Sequence, residues 1–458
     1  MGAGEEPAAE APAGNEIVGI WQGKLEVMPG TEMTIVFRIS EADAGLTALM
    51  DSPDQGATGI PTSSVSYQSK TLVIEVKGIG GRYEGTMQEN RTIRGTWSQG
   101  GSALDLVLAM VDKPAEPVKR PQEPVEPFPY DATEVEFRND KAGVKLAGTL
   151  TAPKPEGKYP AVVLISGSGA QNRDEMIFGH KPFLVLADHL TRKGIAVLRY
   201  DDRGVGGSTG DPSNATSETF AGDVLAAVEF LKTQDKVDPA RIGLIGHSEG
   251  GIIAPMVATK SRDVSFTVLL GATGVPGTEV LYLQGEKIRR AADQTEEQVQ
   301  AGRKLQEKLF EIALSDKLES QKRREMTAEL KAVVEDGSLG EELSDEAIEA
   351  QVSMMVSPWI KFFLGYDPAP ALRKVRVPVL AVTGELDLQA PPEQNLPKIE
   401  AALARGGNPK YMTVELPKLN HMFQTAETGL VAEYGKIEET FAPNALETVS
   451  GWIEDITE

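Results

Sequence analysis

The sequence predicts two folded parts in series: a small antiparallel β-domain, then an α/β domain whose mostly parallel sheet is flanked by helices and interrupted by a helical insertion. Three observations predict this. Short runs of alternating apolar and polar residues fill the first hundred positions, and the proline-dense stretch "DKPAEPVKRPQEPVEPFP" ends them. Beyond it, buried strand-like runs alternate with amphipathic helical patterns.

Residues 1–15 form an Ala/Pro/Glu-rich tail expected to be disordered. With neither a positive region nor an apolar core, it is not an intact signal peptide. Such tails commonly follow a removed export signal, so the expectation is a bacterial periplasmic or extracellular protein, with a cytoplasmic one as the alternative.

From 16 to 112, runs such as "EIVGIWQGKLEV", "EMTIVFRIS", "TLVIEVKG", "GRYEGTMQ", "TIRGTWSQ" and "ALDLVLAM" predict an antiparallel barrel or sandwich. Proline at the density of 113–130 excludes helix and central strand, which predicts an extended linker. From 131 to 458, "YPAVVLIS", "GIAVLRY", "RIGLIGH", "SFTVLLG", "VPVLAVTG" and "KYMTVELP" read as buried parallel strands. Helical patterns such as "PFLVLADHLTRKG" and "SETFAGDVLAAVEFLKTQ" cross between them. Between about 274 and 368 the rhythm breaks into long charged amphipathic helices, "TEEQVQAGRKLQEKLFEIALSD", "KRREMTAELKAVVED" and "SDEAIEAQVSMMVSPWIKFF". An insertion there lies over the carboxyl ends of the strands, where open α/β sheets bind ligands, and reads as a lid.

Composition narrows the chemistry. The 68 acidic residues against 46 basic ones give a formal charge of −22, which argues against a nucleic-acid or anionic-membrane surface. No apolar run reaches the roughly 18 residues of a membrane span. The chain has no cysteine, so thiol catalysis, disulfides and thiolate metal sites are excluded. Any histidine base comes from four candidates, His180, His189, His247 and His421.

The stretch "RIGLIGHSEGGIIAP", residues 241–255, joins a short apolar strand, a glycine-flanked turn and an apolar helix start. A serine hydroxyl attacks a carbonyl only where it projects clear of the backbone, beside a base and beside donors for the developing oxyanion. The G-x-S-x-G turn supplies that geometry, so Ser248 is the candidate nucleophile. An acid and a base are then required. Asp387 stands in "VPVLAVTGELDLQAPPEQN", just past a strand end, with Glu385 as its competitor. His421, in "YMTVELPKLNHMF", is the one histidine after the turn and again follows a strand. His247 is expected to pack behind the turn, and His189 to be structural in a helix. His180, in "IFGHKPF", is open to either a structural place or one bordering the site.

One oxyanion donor is the amide of Glu249, the residue after the serine. The other is expected from "AVVLISGSGAQNRDE", where Gly167 and Gly169 let backbone approach a ligand, and the candidate is the amide of Ser168. Arg173, Asp174 and Glu175 read as a salt-bridged brace. In "YDDRGVGGSTG" no lysine follows the glycines, so Asp202 and Arg203 are expected to brace loops rather than cradle phosphate. Met354, Met355, Trp359, Phe362 and Phe363 either line an acyl pocket or form the packing face of the insertion.

The motifs "SGSGAQNRDE", "GHKPF", "RYDDRGVGGSTG", "GHSEGG", "GELD" and "NHMF" together resemble bacterial α/β-hydrolases of the EstD-type carboxylesterase group, over about Tyr130 to the C-terminus. The resemblance implies a metal-free serine hydrolase without a cofactor, acting on short acyl esters, with Ser248, Asp387 and His421 matching the triad. The loop reads "SGSGAQNRD" where other hydrolases commonly carry a histidine-glycine pair. A serine aminopeptidase or amidase on the same machinery is the alternative, with Glu249 or an acid of the insertion receiving the substrate amine. A different alternative is a ligand-binding protein working through the β-domain. That domain is also open to positioning substrate or mediating a homodimer.

Overall fold

The computed structural model describes residues 16–28, 31–43, 45–99, 102–116, 118–340 and 343–458, so the Ala/Pro/Glu-rich segment 1–15 lies outside the described residues. Two compact units divide the chain, Met1–Lys119 and Arg120–Glu458.

The described residues of the first unit form nine strands: β1 Gly19–Met28, β2 Thr31–Ala42, β3 Gly45–Ser52, β4 Ala57–Pro61, β5 Ser64–Gln68, β6 Thr71–Val76, β7 Gly81–Met87, β8 Thr92–Gln99 and β9 Ser102–Val111. They form one sheet in the order β4-β3-β2-β1-β9-β8-β7-β6-β5. Each strand pairs antiparallel with its chain neighbour except β4 with β5, and β9 returns beside β1, so the meander curls back on itself. Strand periodicity sends alternate side chains inward, as in β7, where buried and exposed residues alternate strictly. Trp21, Phe37 and Tyr83 are fully buried. The Phe37 ring lies 5.8 Å from Tyr83 and 6.1 Å from Trp97, so aromatic side chains fill the interior.

Among the described residues the second unit is built on eight strands: β10 Tyr130–Asn139, β11 Val144–Pro153, β12 Tyr159–Ile165, β13 Ala196–Tyr200, β14 Val237–His247, β15 Val264–Leu270, β16 Val379–Gly384 and β17 Tyr411–Leu416. The sheet order is β10-β11-β13-β12-β14-β15-β16-β17. β10, β11 and β13 pair antiparallel, and every pair from β13 to β17 is parallel. Helices α1 Pro182–Arg192 and α2 Ser217–Leu231 carry the chain from β12 to β13 and back past β12 to β14; α3 Gly250–Ala258 leads on to β15. The direction of winding reverses between β12 and β14, which places their following loops at the sheet's ligand-binding crevice.

Between β15 and β16 come α4 Gly277–Ala291, α5 Glu296–Leu314, α6 Glu319–Glu335, α7 Asp345–Met355, α8 Pro358–Gly365 and α9 Ala369–Leu372. The run expected as one helix at 344–363 is two. Pro358 cannot continue a helix from α7, and Ser357 caps the new one by accepting from the Ile360 amide at 3.2 Å. These helices enclose a core of their own around Leu309, Phe310, Met326 and Val352. The chain ends with α10 Pro392–Gly406, α11 Val431–Tyr434 and α12 Pro443–Thr457. α2, α3 and α10 cover one face of the sheet, and α1 and α12 the other. Covered on both sides, the sheet's central strands are continuously apolar. Ile242, Leu244 and Ile245 of β14 are fully buried, each contributing about 1.5–3 kcal/mol.

The second half of the proline-rich segment is tied to this unit. Arg120 donates to the carbonyls of Phe178, Gly179, Gly435 and Ile437, and Gln122 accepts from the amides of Thr440 and Phe441. Among the described residues no helix is long and apolar enough to cross a membrane.

Candidate active site

Ser248 sits at the tip of the turn between β14 and α3 with φ 53°, in the left-handed region that a non-glycine residue enters only under strain. The flanking glycines make the turn possible. A Cβ on Gly246 would overlap the Gly250 carbonyl, and one on Gly250 would overlap the Ile165 carbonyl. The Ser248 amide donates to the Leu270 carbonyl at 2.8 Å, which pins the turn to the end of β15.

Asp387 and His421 come from the loops after β16 and β17 and meet in the interior. His421 Nδ1 lies 2.8 Å from Asp387 Oδ2. Asp387 Oδ1 accepts from the amides of Gln389 at 2.9 Å and Ala390 at 2.7 Å, so the carboxylate is held from both sides. Asp387 is 1% exposed and His421 4%. With Nδ1 committed to the aspartate, Nε2 is the nitrogen left for a proton from outside. Glu385, the competing acid, is exposed and accepts from the Lys418 amide instead.

His247 lies behind the turn, between Glu175 and the His421 carbonyl, and its ring is 4.8 Å from that of His421. The other two histidines are spoken for. His180 is buried between Thr440 Oγ1 and the Tyr434 carbonyl, and burial drives it down to about 4. His189, in α1, meets Ser450 Oγ at 3.0 Å.

The loop after β12 passes against the serine: a Cβ on Gly167 would stand 3.3 Å from Ser248 Cβ. The Gly167 amide is taken by Glu175 Oε1 at 2.6 Å, and Ser168 is the next residue along. Asp202 braces this loop from behind, accepting from Ser166 Oγ at 2.8 Å and the Gln171 amide at 2.9 Å. Its burial pushes the carboxyl up to about 7. Arg203 forks onto Asp223 at 2.7 and 2.8 Å, Arg173 pairs with Asp201 and Glu134, and Asp174 pairs with Arg199. Two of the three residues at 173–175 therefore act as the expected brace. Glu175 turns inward to His247.

Glu249, 2% exposed, opens α3, whose first amides have no carbonyl of their own helix to serve. Its carboxylate accepts from Ser217 Oγ at 2.6 Å and from Trp359 Nε1 at 2.8 Å, and it bonds the Ser168 side chain. Burial pushes it up, against the pull of those three donors.

The five residues of the expected acyl pocket have different surroundings. Met355 is buried in the insertion's own core and Met354 is 52% exposed. Phe363 packs into the sheet core and Phe362 stacks on Tyr366 at 5.3 Å. Helical spacing splits them, because residues one apart face different ways. Trp359 alone reaches the turn, through Glu249. Sequence reasoning missed both the Glu249–Trp359 contact and the Glu175–His247 contact, whose one signal was an acid close to the glycine loop. Among the described residues no group of three or more His, Asp or Glu side chains could hold a metal.

A model of the alpha/beta hydrolase family matches residues 162–433. Esterase EstD of Thermotoga maritima is 36% identical over 156 residues, 33% of this chain and 37% of that protein. An uncharacterized protein of Mycobacterium tuberculosis is 34% identical over 148 residues, 32% of this chain and 49% of that one. The chain thus spans from 37% to 49% of the length of these curated relatives. A solved structure of a Pyrococcus furiosus esterase is similar over 72% of this chain and 92% of its own, with TM-score 0.45 and 15% identity.

Proposed function

The chain belongs to the alpha/beta hydrolase family, and we propose that it is a serine carboxylesterase cleaving short-chain acyl esters through Ser248, His421 and Asp387. The observation that carries this reading is a histidine fixed by a buried aspartate at 2.8 Å, in a domain whose β14–α3 turn holds Ser248 at φ 53°. Identity to Esterase EstD over a third of the chain supports it.

In this reading Ser248 Oγ adds to the ester carbonyl carbon while His421 Nε2 takes its proton, and Asp387 stabilises the imidazolium. The amides of Ser168 and Glu249 bond the oxyanion. Collapse expels the alcohol, which receives the proton from His421. Water, deprotonated by the same nitrogen, then attacks the acyl-enzyme and frees the acid and Ser248. The helical insertion acts as a lid, held to the turn by Trp359. Trp359, which bonds Glu249 beside Ser248 and stacks on Phe363 at 5.4 Å, is the insertion residue that borders the acyl group in this reading.

An aminopeptidase needs a free carboxylate for the substrate amine. Glu249, buried and engaged by Ser217, Ser168 and Trp359, offers none, which supports the ester over the amine substrate. Turnover of p-nitrophenyl esters of graded acyl length by wild type and S248A, beside aminoacyl-anilides, tests the reading. The expected result is serine-dependent hydrolysis highest on short esters; anilide turnover at matching rates would reject it.

A further inference from the structure

His247 is 6% exposed and Glu175 4%. His247 Nδ1 lies 2.9 Å from Glu175 Oε1, and Nε2 lies 3.0 Å from the main-chain oxygen of His421. A carbonyl oxygen only accepts, so Nε2 carries a proton. Glu175 Oε1 also accepts from the Gly167 amide at 2.6 Å, and one proton lies between it and Nδ1. With that proton on Nδ1 the imidazole is a cation and Glu175 its counter-ion. Burial disfavours that charge, but Glu175, the His421 carbonyl and Asp387 outweigh it and raise His247 on balance. Phe183, Leu270, Phe423 and Phe441 border the same small void as the pair, so little solvent screens it.

We propose that Glu175 and His247 form a fixed ion pair that positions both the base and the oxyanion loop around Ser248. The role rests on Ser248 and His421 being the nucleophile and the base. Through Glu175 the pair holds Gly167, which packs against Ser248 Cβ, and so sets where the next amide, that of Ser168, points. Through His247 it holds the backbone of His421, whose ring Asp387 holds at the other end. The rings of His247 and His421 are 4.8 Å apart at an interplanar angle of 43°. The titratable groups facing His247 are Glu175 on the loop after β12, His421 on the loop after β17 and, through its charge, Asp387 on the loop after β16. Glu175 and His247 touch no reacting atom and are positioning residues.

The test uses the full chain, with E175Q and H247Q, labelled with nitrogen-15 histidine. Four histidines make the imidazole spectrum readable, and H247Q assigns the signal. In wild type at about pH 7.5 the expected signal is a doubly protonated His247, set against a neutral His180. E175Q, which keeps an acceptor for Gly167, turns His247 into a neutral imidazole. In the ester assay both variants lower kcat by roughly 10- to 100-fold with KM within about twofold, as loss of an orienting partner does. A role confined to stability would lower Tm and leave kcat of the folded variant unchanged. A neutral wild-type His247, or H247Q with wild-type kcat, overturns the proposal. Wild type without ester turnover overturns the esterase reading and with it the pair's role, while the imidazole signals still report separately whether the pair is charged.

Discussion

Replacing Asp387 by asparagine exchanges one oxygen for an NH2 group and forces a choice that the structure makes costly either way. Asp387 Oδ1 accepts from two amides, those of Gln389 and Ala390, while Oδ2 faces His421 Nδ1. In D387N the side-chain carbonyl stays toward the amides, so the new NH2 points at Nδ1. Nδ1 becomes an acceptor, the imidazole proton moves to Nε2, and Nε2 no longer takes the proton of Ser248. Recovering the productive tautomer means turning the NH2 onto the two buried amides. That leaves two donors unmade at about 1–3 kcal/mol each, or about 2–6 kcal/mol together. At about 1.4 kcal/mol per decade the loss is roughly 30-fold to 10⁴-fold in kcat, the upper end matching the known effect of this exchange in serine triads. The assay is steady-state hydrolysis of p-nitrophenyl acetate by wild type and D387N, with near-ultraviolet circular dichroism to show that the fold is kept. A folded D387N whose kcat lies within about threefold of wild type would refute the tautomer reasoning.

W359F keeps the ring stacked on Phe363 at 5.4 Å but removes the N–H that meets Glu249. The expected loss is about 1–3 kcal/mol of stability, read from the urea midpoint; an unchanged midpoint contradicts the anchoring of the insertion. Asp202, raised to about 7, keeps its proton in the folded chain at pH values where the unfolded chain, near 4, has lost it. Its contribution to stability therefore falls as pH rises from about 4 to about 7. D202N has no such slope, so the Tm difference, variant minus wild type, should grow from pH 5 to pH 8; a difference independent of pH would contradict the assignment.

The parallel strands were legible because burial on both faces makes them continuous apolar runs, as in "AVVLIS" and "GLIGH". The pair β10 and β11 drew no separate reading. β10 lies at the sheet's edge with most of its residues exposed, so its apolar signal is weak. The division of α7 from α8 was written in "SPW", a cap followed by proline. In the site, the meeting of Asp387 and His421 was legible from each standing just past a strand, and the sharp turn at Ser248 from its flanking glycines. The contacts that hold them were not. His247 meets Glu175 across 72 residues and Trp359 meets Glu249 across 110, and no local period encodes a polar contact between loops that only the finished fold brings together. The choice between pocket and packing face for Met354, Met355, Trp359, Phe362 and Phe363 was not legible either, because composition carries no helical phase: Met355 joins the insertion's core, while Phe363 joins the sheet core with Trp359 and Phe362 packed against it.

The central claim is that Ser248 is an activated nucleophile. Treatment of the wild-type chain with a fluorophosphonate, followed by peptide mapping, tests it without assuming any substrate. The account predicts one phosphonyl adduct, on the peptide carrying Ser248, formed quickly in wild type, much more slowly in D387N and not at all in S248A. An adduct on another residue, or labelling of S248A at the wild-type rate, would contradict it.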